Sequence, residues 1–131
     1  MAGENPGVII SQDANESITA HRIVSMVAGS ANTVEMYQTS TSNILGVSHD
    51  FGESTGAVPV TISGTARVEC GASVSTGAIV GPLTASSGQI VERVNPDTTS
   101  TANVKTLGIA LQSGSTNSVI KVALQIDNKT S

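Results

Sequence analysis

The first residues to weigh are those whose types and spacing could carry chemistry. Gly52-Glu53-Ser54-Thr55-Gly56 has the G-x-S-x-G spacing of a nucleophile elbow. That device holds a serine on a sharp strand-to-helix turn and draws an acid and a histidine from later in the chain. Here both histidines, His21 and His49, precede Ser54, and the residues that follow, Pro59 among them, alternate like a strand. Ser54 therefore has no base downstream and no helix behind it, and the segment is read as a turn. His49, Asp50 and Glu53 form the densest local group of metal-ligating types. They lie in one Gly-containing loop without further ligands at workable spacing, so a solvated turn is expected and no metal site.

The remaining reactive types are scattered. Cys70 follows Val68-Glu69 with no adjoining basic cluster to lower its pKa, and is expected as a small, buried or partly buried thiol. As the single cysteine it has no internal disulfide partner. His21 beside Arg22 is expected at the surface or an interface. The carboxylates suggest no acid–base pair, and no Gly-rich stretch ends in the G-K-[ST] of a phosphate loop. Asn15-Glu16-Ser17 and Asn128-Lys129-Thr130 are glycosylation sequons by pattern, with meaning only in a secreted protein. The expectation is a protein without catalytic residues, metal or cofactor.

What remains is scaffold. With 131 residues the chain fits one domain that can bury roughly two-thirds of its unfolded surface. Ser and Thr make up about a quarter of it, there is one Phe, one Tyr and no Trp, and Gly is frequent. Val, Ile and Thr with many Gly suit short strands and turns rather than long helices. A mean hydropathy of +0.12 and a net charge of -4 argue against disorder. The six basic residues stand singly, which argues against nucleic-acid binding. No apolar run approaches the length of a membrane span. Met1 to Gly7 has no basic residue and Val8-Ile9-Ile10 is too short for a signal-peptide core, so synthesis in a reducing cytoplasm is expected.

Period-two alternation is the clearest pattern, in Val58-Val60-Ile62 and in Ile120-Val122-Leu124-Ile126. Asp13 to Glu16 has room for one helical turn at most. Pro59 inside a strand-like run predicts an edge strand or a bulge, and Thr98 to Asn103 predicts a polar loop. The two halves repeat an order: Arg22-Ile23-Val24, Asn32 to Glu35, Ile44-Leu45-Gly46-Val47 and Ala57 to Ile62 against Ala78-Ile79-Val80, Gly88 to Glu92, Thr106-Leu107-Gly108-Ile109 and Ser118 to Ile126. Ile23 to Gly46 spans 23 residues and Ile79 to Gly108 spans 29, so the repeat is a supersecondary unit used twice with unequal loops. Gly46 and Gly108, each inside an apolar run, are expected to bend their strands at barrel corners.

In this order the segments Arg22-Ile23-Val24, Leu45-Gly46-Val47, Val58-Pro59-Val60 to Gly64, Arg67-Val68-Glu69, Gly77 to Val80, Gly88 to Val91, Leu107 to Ala110 and Val119 to Ile126 resemble the capsid decoration, or cement, proteins of tailed bacteriophages. The resemblance covers roughly Ile18 to Asp127. It implies a β-tulip-type small barrel that binds the major capsid protein on the outer face of an expanded capsid, commonly as a homotrimer, and so stabilises the virion. Gly77-Ala78, where an acidic residue often follows the glycine, and the Thr98 to Asn103 insert depart from the pattern. The chain is thus expected to be all-β, with residues 1–17 as an extended N-terminal arm and 18–131 as one barrel-like domain of two unequal units. Within the arm, Val8, Ile9 and Ile10 are the expected capsid contacts, by strand addition to an exposed edge. The alternative is a virion-surface module for carbohydrate or receptor, a role that usually displays aromatic platforms.

Overall fold

The computed structural model describes residues 6–37, 43–82, 88–92 and 105–128. Among them there is no helix, and nine strands run in order: β1 (Pro6–Ala14), β2 (Ile23–Met26), β3 (Thr33–Met36), β4 (Ile44–Ser48), β5 (Ala57–Glu69), β6 (Ile79–Pro82), β7 (Ile90–Glu92), β8 (Thr106–Ala110) and β9 (Val119–Asp127). The strand order is β1-β3-β2-β4-β5-β9-β8-β6-β7, with an added β1–β5 pairing. That pairing closes β1, β3, β2, β4 and the first half of β5 into a barrel. The all-β class expected from the alternation is the class observed.

The thirteen-residue β5 explains the layout. Its first half, Ala57 to Gly64, pairs with β1, and Thr65 to Glu69 pair with β9. One strand therefore serves two sheets. β5, β9, β8, β6 and β7 form the second sheet, and a parallel bridge between Cys70 and Ile90 brings β7 back to the end of β5. In the first barrel β1 meets β3 in parallel through Ala14 and Val34. The connectivity is the same: β1 to β5 of unit 1 correspond in turn to β5 to β9 of unit 2.

The correspondence extends to single hydrogen bonds. Ala14 N–H donates to Gly56 O and Cys70 N–H to Ser118 O, both at 2.8 Å. The bridge from Ile18 to Gly52 has its counterpart in the bridge from Val74 to Gly114. His21 N–H donates to Ser48 O as Gly77 N–H does to Ala110 O. Positive φ values recur at matched places: His21 with Gly77, Asn32 with Gly88, and Thr55 with Asn117. One constant offset relates the units through β3 and β7, and a longer one relates them from β4 and β8 onward. The extra residues of the 29-residue spacing thus fall between β7 and β8. The Thr98 to Asn103 insert itself lies outside the described residues.

Both cores follow from the shared alternation, since one side of each strand turns inward. Unit 1 buries Ala14, Ile18, Val24, Val34, Val58 and Val60. Their counterparts Cys70, Val74, Val80, Ile90, Ile120 and Val122 are buried in the second cluster. That cluster also takes in Ile23, Tyr37, Ile44 and Val47, which belong to unit 1. The outer face of the first barrel is therefore packed on the second unit. Backbone bonds reinforce the seam: Ile23 N–H to Gly88 O at 2.7 Å and Glu69 N–H to His21 O at 2.9 Å.

Three expectations change in detail. Residues 6–14, read as an arm ahead of the barrel, are extended, but they form β1 and pair with both β5 and β3. Residues 1–5 lie outside the described residues. The run from Val58 to Ser63 does contain a bulge, since the successive β1 residues Val8 and Ile9 face Ser63 and Thr61, but Pro59 itself is not on an edge strand, because β1 and β4 flank β5 there. It is tolerated because its carbonyl accepts His49 N–H just past the end of β4, so its nitrogen faces the side where the ladder has stopped. Asp13 and Ala14, given to a possible helical turn, are strand residues.

Gly46 and Gly108 stand next to register shifts in the β2–β4 and β8–β9 ladders. A Cβ on Gly46 would collide with Thr61 O of β5, and one on Gly108 with Ala123 O of β9. Gly77 has positive φ but open space around it. Gly46→Ala and Gly108→Ala are therefore expected to lose about 3 kcal/mol or more each, against about 1 kcal/mol for Gly77→Ala, in urea denaturation.

Candidate binding surface

The structure disperses the residues that first suggested chemistry. In the 52–56 segment, Gly52 is buried and bridged to Ile18, and a Cβ there would stand 2.6 Å from Val58 Cβ. Ser54 is exposed, Thr55 has φ 65° and donates its N–H to Ala14 O, and Gly56 N–H donates to Glu53 O at 2.8 Å. This is the turn that enters β5, and Gly114 to Ser118 repeat it before β9. No group of three or more His, Cys, Asp or Glu among the described residues is arranged to hold a metal ion. His49 N–H is committed to Pro59 O.

Cys70 is fully buried at the closing bridge of unit 2. Burial first, and the neighbouring Glu69 carboxylate second, push its thiol pKa up. The site favours the neutral thiol, which is a poor nucleophile.

A polar cluster occupies the junction of the units. Arg22 Nη2 lies 3.1 Å from Glu69 Oε2, and the two side chains retain only 17% and 19% of their exposure. Gln89 Nε2 donates to the same carboxylate oxygen at 2.6 Å and also reaches Asn117 Oδ1 at 3.2 Å. The cluster ties the start of β2, the end of β5 and the approach to β7. At the opposite side of the seam Asn128 Oδ1 accepts Ile44 N–H at 2.6 Å, and its Nδ2 donates to Ile44 O at 3.0 Å. These groups have partners within the chain and act as fasteners.

Apolar exposure is where the surface can bind. On β1, Val8 is 47% and Ile9 41% exposed. Neighbours on a regular strand point to opposite faces, but register shifts at Pro6/Val8 and Val8/Ile9 break the alternation and present both. Ile10 is different: it is partly buried and packs against the unit 1 core. On unit 2, Ile79, Leu111 and Val119 are exposed, the last two by 43% and 40%. Sequence reading did not single these out. The available signal was that Ala78-Ile79-Val80-Gly81 is apolar on both faces, which marks a strand covered on both sides. Patches of this kind are suited to another protein surface. Tyr37 is completely buried, which leaves Phe51 as the exposed aromatic ring.

The arrangement defines a class: a two-unit all-β scaffold with apolar strand faces turned outward. The fold is similar to that in the crystal structure of the N base of the head fiber gp8.5 of bacteriophage phi29. The two are 14% identical, with 94% of this chain and 96% of that one covered at a TM-score of 0.68. The likeness thus takes in both units. The sequence matches no protein-family profile and no curated protein.

Two outcomes are expected here. Thr55 is a β-branched residue in the left-handed region, where unit 2 places Asn117, so Thr55→Asn is expected to stabilise the fold by about 1 kcal/mol. Thermal melting of the variant measures it. The Cys70 thiol is expected to resist an aromatic disulfide reagent in the native protein and to react fully once the chain is unfolded in guanidinium.

Proposed function

We propose that this protein is a structural component of a phage virion that binds the outer surface of the expanded capsid through the major capsid protein and stabilises the shell. One observation carries the reading: over nearly its whole length the chain shares its fold with a protein named as part of a bacteriophage head fiber. The resemblance of its sequence segments to capsid decoration proteins points the same way. In this reading the protein is not an enzyme and uses no cofactor. It would be made in the host cytoplasm and carried on the virion, with copies gathered as trimers.

Val8 and Ile9 are the proposed capsid contacts. They are exposed on a strand that the fold already holds extended, so little ordering entropy opposes binding. Ile10 has a different part, helping to seat β1 on the barrel core. Several copies bound together would multiply a weak contact through effective concentration. A carbohydrate-binding module on the virion is the weaker reading, because Tyr37 is buried and an aromatic platform would have to rest on Phe51.

Co-sedimentation with expanded and unexpanded heads of the phage that encodes the chain tests the proposal. Wild-type protein is expected to pellet with expanded heads, and Val8→Asp/Ile9→Asp to bind at least tenfold more weakly while melting normally. Equal binding by the variant would remove β1 from the contact, and no binding by the wild type would overturn the capsid reading. Removal of residues 1–10 is a poorer test, since it takes away most of the strand that closes the first barrel.

A further inference from the structure

The outer edge of β1 is used along only part of its length. Ala14 bonds to the turn before β5, giving its N–H to Gly56 O and accepting Thr55 N–H. Strand alternation then turns the backbone groups of Gln12 and Ile10 toward β5, and those of Asp13, Ser11 and Ile9 away from it. Pro59, directly opposite Ser11, agrees, since its carbonyl faces β4 and takes His49 N–H. Asp13 spends its outward N–H on Asn32 O at 2.8 Å, just before β3 begins. β3 pairs with β1 only at Asp13 and Ala14. Among the described residues, no strand lies beside Ile9 and Ser11 on that side.

Ile9 N–H, Ile9 C=O and Ser11 N–H therefore point outward without a strand to bond, and both residues are exposed. Ser11 O lies 3.3 Å from the Gln12 amide nitrogen once that amide is turned to donate. Sheet edges are normally guarded by charge, proline or a bulge. Here Pro6 and the register shifts on either side of Val8 guard the far end. From Ile9 to Gln12 the register is regular, and no charged residue or proline stands there.

Unit 2 shows what such an edge takes. Asp13 and Asn32 correspond to Glu69 and Gly88, at the point where the two parallel strands part. In unit 1 these lips bond each other directly. In unit 2 they do not: Glu69 N–H donates to His21 O at 2.9 Å, and Gly88 O accepts Ile23 N–H at 2.7 Å. Main-chain groups of His21 and Ile23 thus bond both lips, so the occupant that suits this edge is an extended backbone. Ile10, turned inward and packed on the unit 1 core, and Ile9, turned outward, flank the open lane. A strand laid there sets alternate residues beside each of them, which favours apolar side chains.

We propose that an extended segment of the major capsid protein adds to β1 as a strand, bonding Ile9 N–H, Ile9 C=O and Ser11 N–H. The proposal rests on the capsid reading and deepens it. β1 stays in its barrel and supplies the edge, and the partner supplies the strand. Recognition is by main chain first, with the Val8 and Ile9 side chains as an apolar border.

Amide exchange followed by NMR on the free chain is the first test. Ile9 and Ser11 are expected to exchange about tenfold faster than Ile10 and Gln12, and equal protection overturns the proposal. Ser11→Pro removes the outward N–H and spares the bonds to β5, as Pro59 does directly opposite. It is expected to melt like wild type yet to pellet with expanded heads about tenfold more weakly. Ser11→Ala, which keeps the N–H, is expected to bind normally. Should Ser11→Pro not fold, wild type answers the question by mass spectrometry. Binding to heads is expected to slow exchange in the β1 peptide about tenfold, and no slowing overturns the proposal. Normal binding by a folded Ser11→Pro overturns strand addition and leaves the capsid reading standing. A wild type that does not pellet with the heads overturns both.

Discussion

Everything in this molecule hangs on β5 having to satisfy two sheets in succession. A strand of thirteen residues is long for a small β protein, and its pairing changes at Gly64–Thr65 from β1 to β9. Before that point its inward side chains, Val58 and Val60, fill the first barrel. After it, Ala66 and Val68 join the second core. Gly64 sits at the changeover with φ 85°, a conformation that an L side chain would resist. Because the strand is last in one unit and first in the next, the relation between the units is fixed by covalent continuity as well as by packing. The cluster of Arg22, Glu69 and Gln89 then locks the angle on one side of the seam and Asn128 on the other.

The seam also accounts for the scarcity of aromatic residues. Two narrow barrels lined by Val, Ile and Ala leave little room for a ring, and each fully buried aliphatic side chain stabilises by roughly 1.5–3 kcal/mol. The one fully buried ring, Tyr37, lies in the larger cluster, where the outer face of unit 1 meets unit 2. Size is therefore concentrated where two units must be joined, and small β-branched residues serve where one sheet closes on itself.

Much of the scaffold was legible in the sequence because its signals are local. Alternation in 58–62 and 119–126 placed β5 and β9, and the order of segments disclosed a unit used twice. The spacing difference was read correctly in size, and the structure fixes where it falls. What stayed hidden was non-local. Nothing local in Pro6 to Ala14 says that the segment pairs with β5 some fifty residues away, so it was read as an arm. Pro59 pointed to an edge strand or a bulge, and the bulge is there at Ile62, but why β5 tolerates the proline between two partners depends on where β4 ends, which is a property of another strand. The surface was the least legible part. Val8 and Ile9 stand out as a short apolar run, but the exposure of Ile79 becomes meaningful only beside its buried counterpart Ile23, once the two are known to occupy one position in a repeat.

A shared strand has a kinetic consequence as well. Neither unit can open alone without stripping partners from half of β5, so the two barrels are expected to melt in one transition. The pairings that define them, β1 with β5 and β5 with β9, join residues far apart in the chain, and such loops are slow to close. The same contacts must be lost together on the way out. A chain built this way assembles slowly and comes apart slowly, and its working life is governed by the height of a barrier more than by the depth of a well.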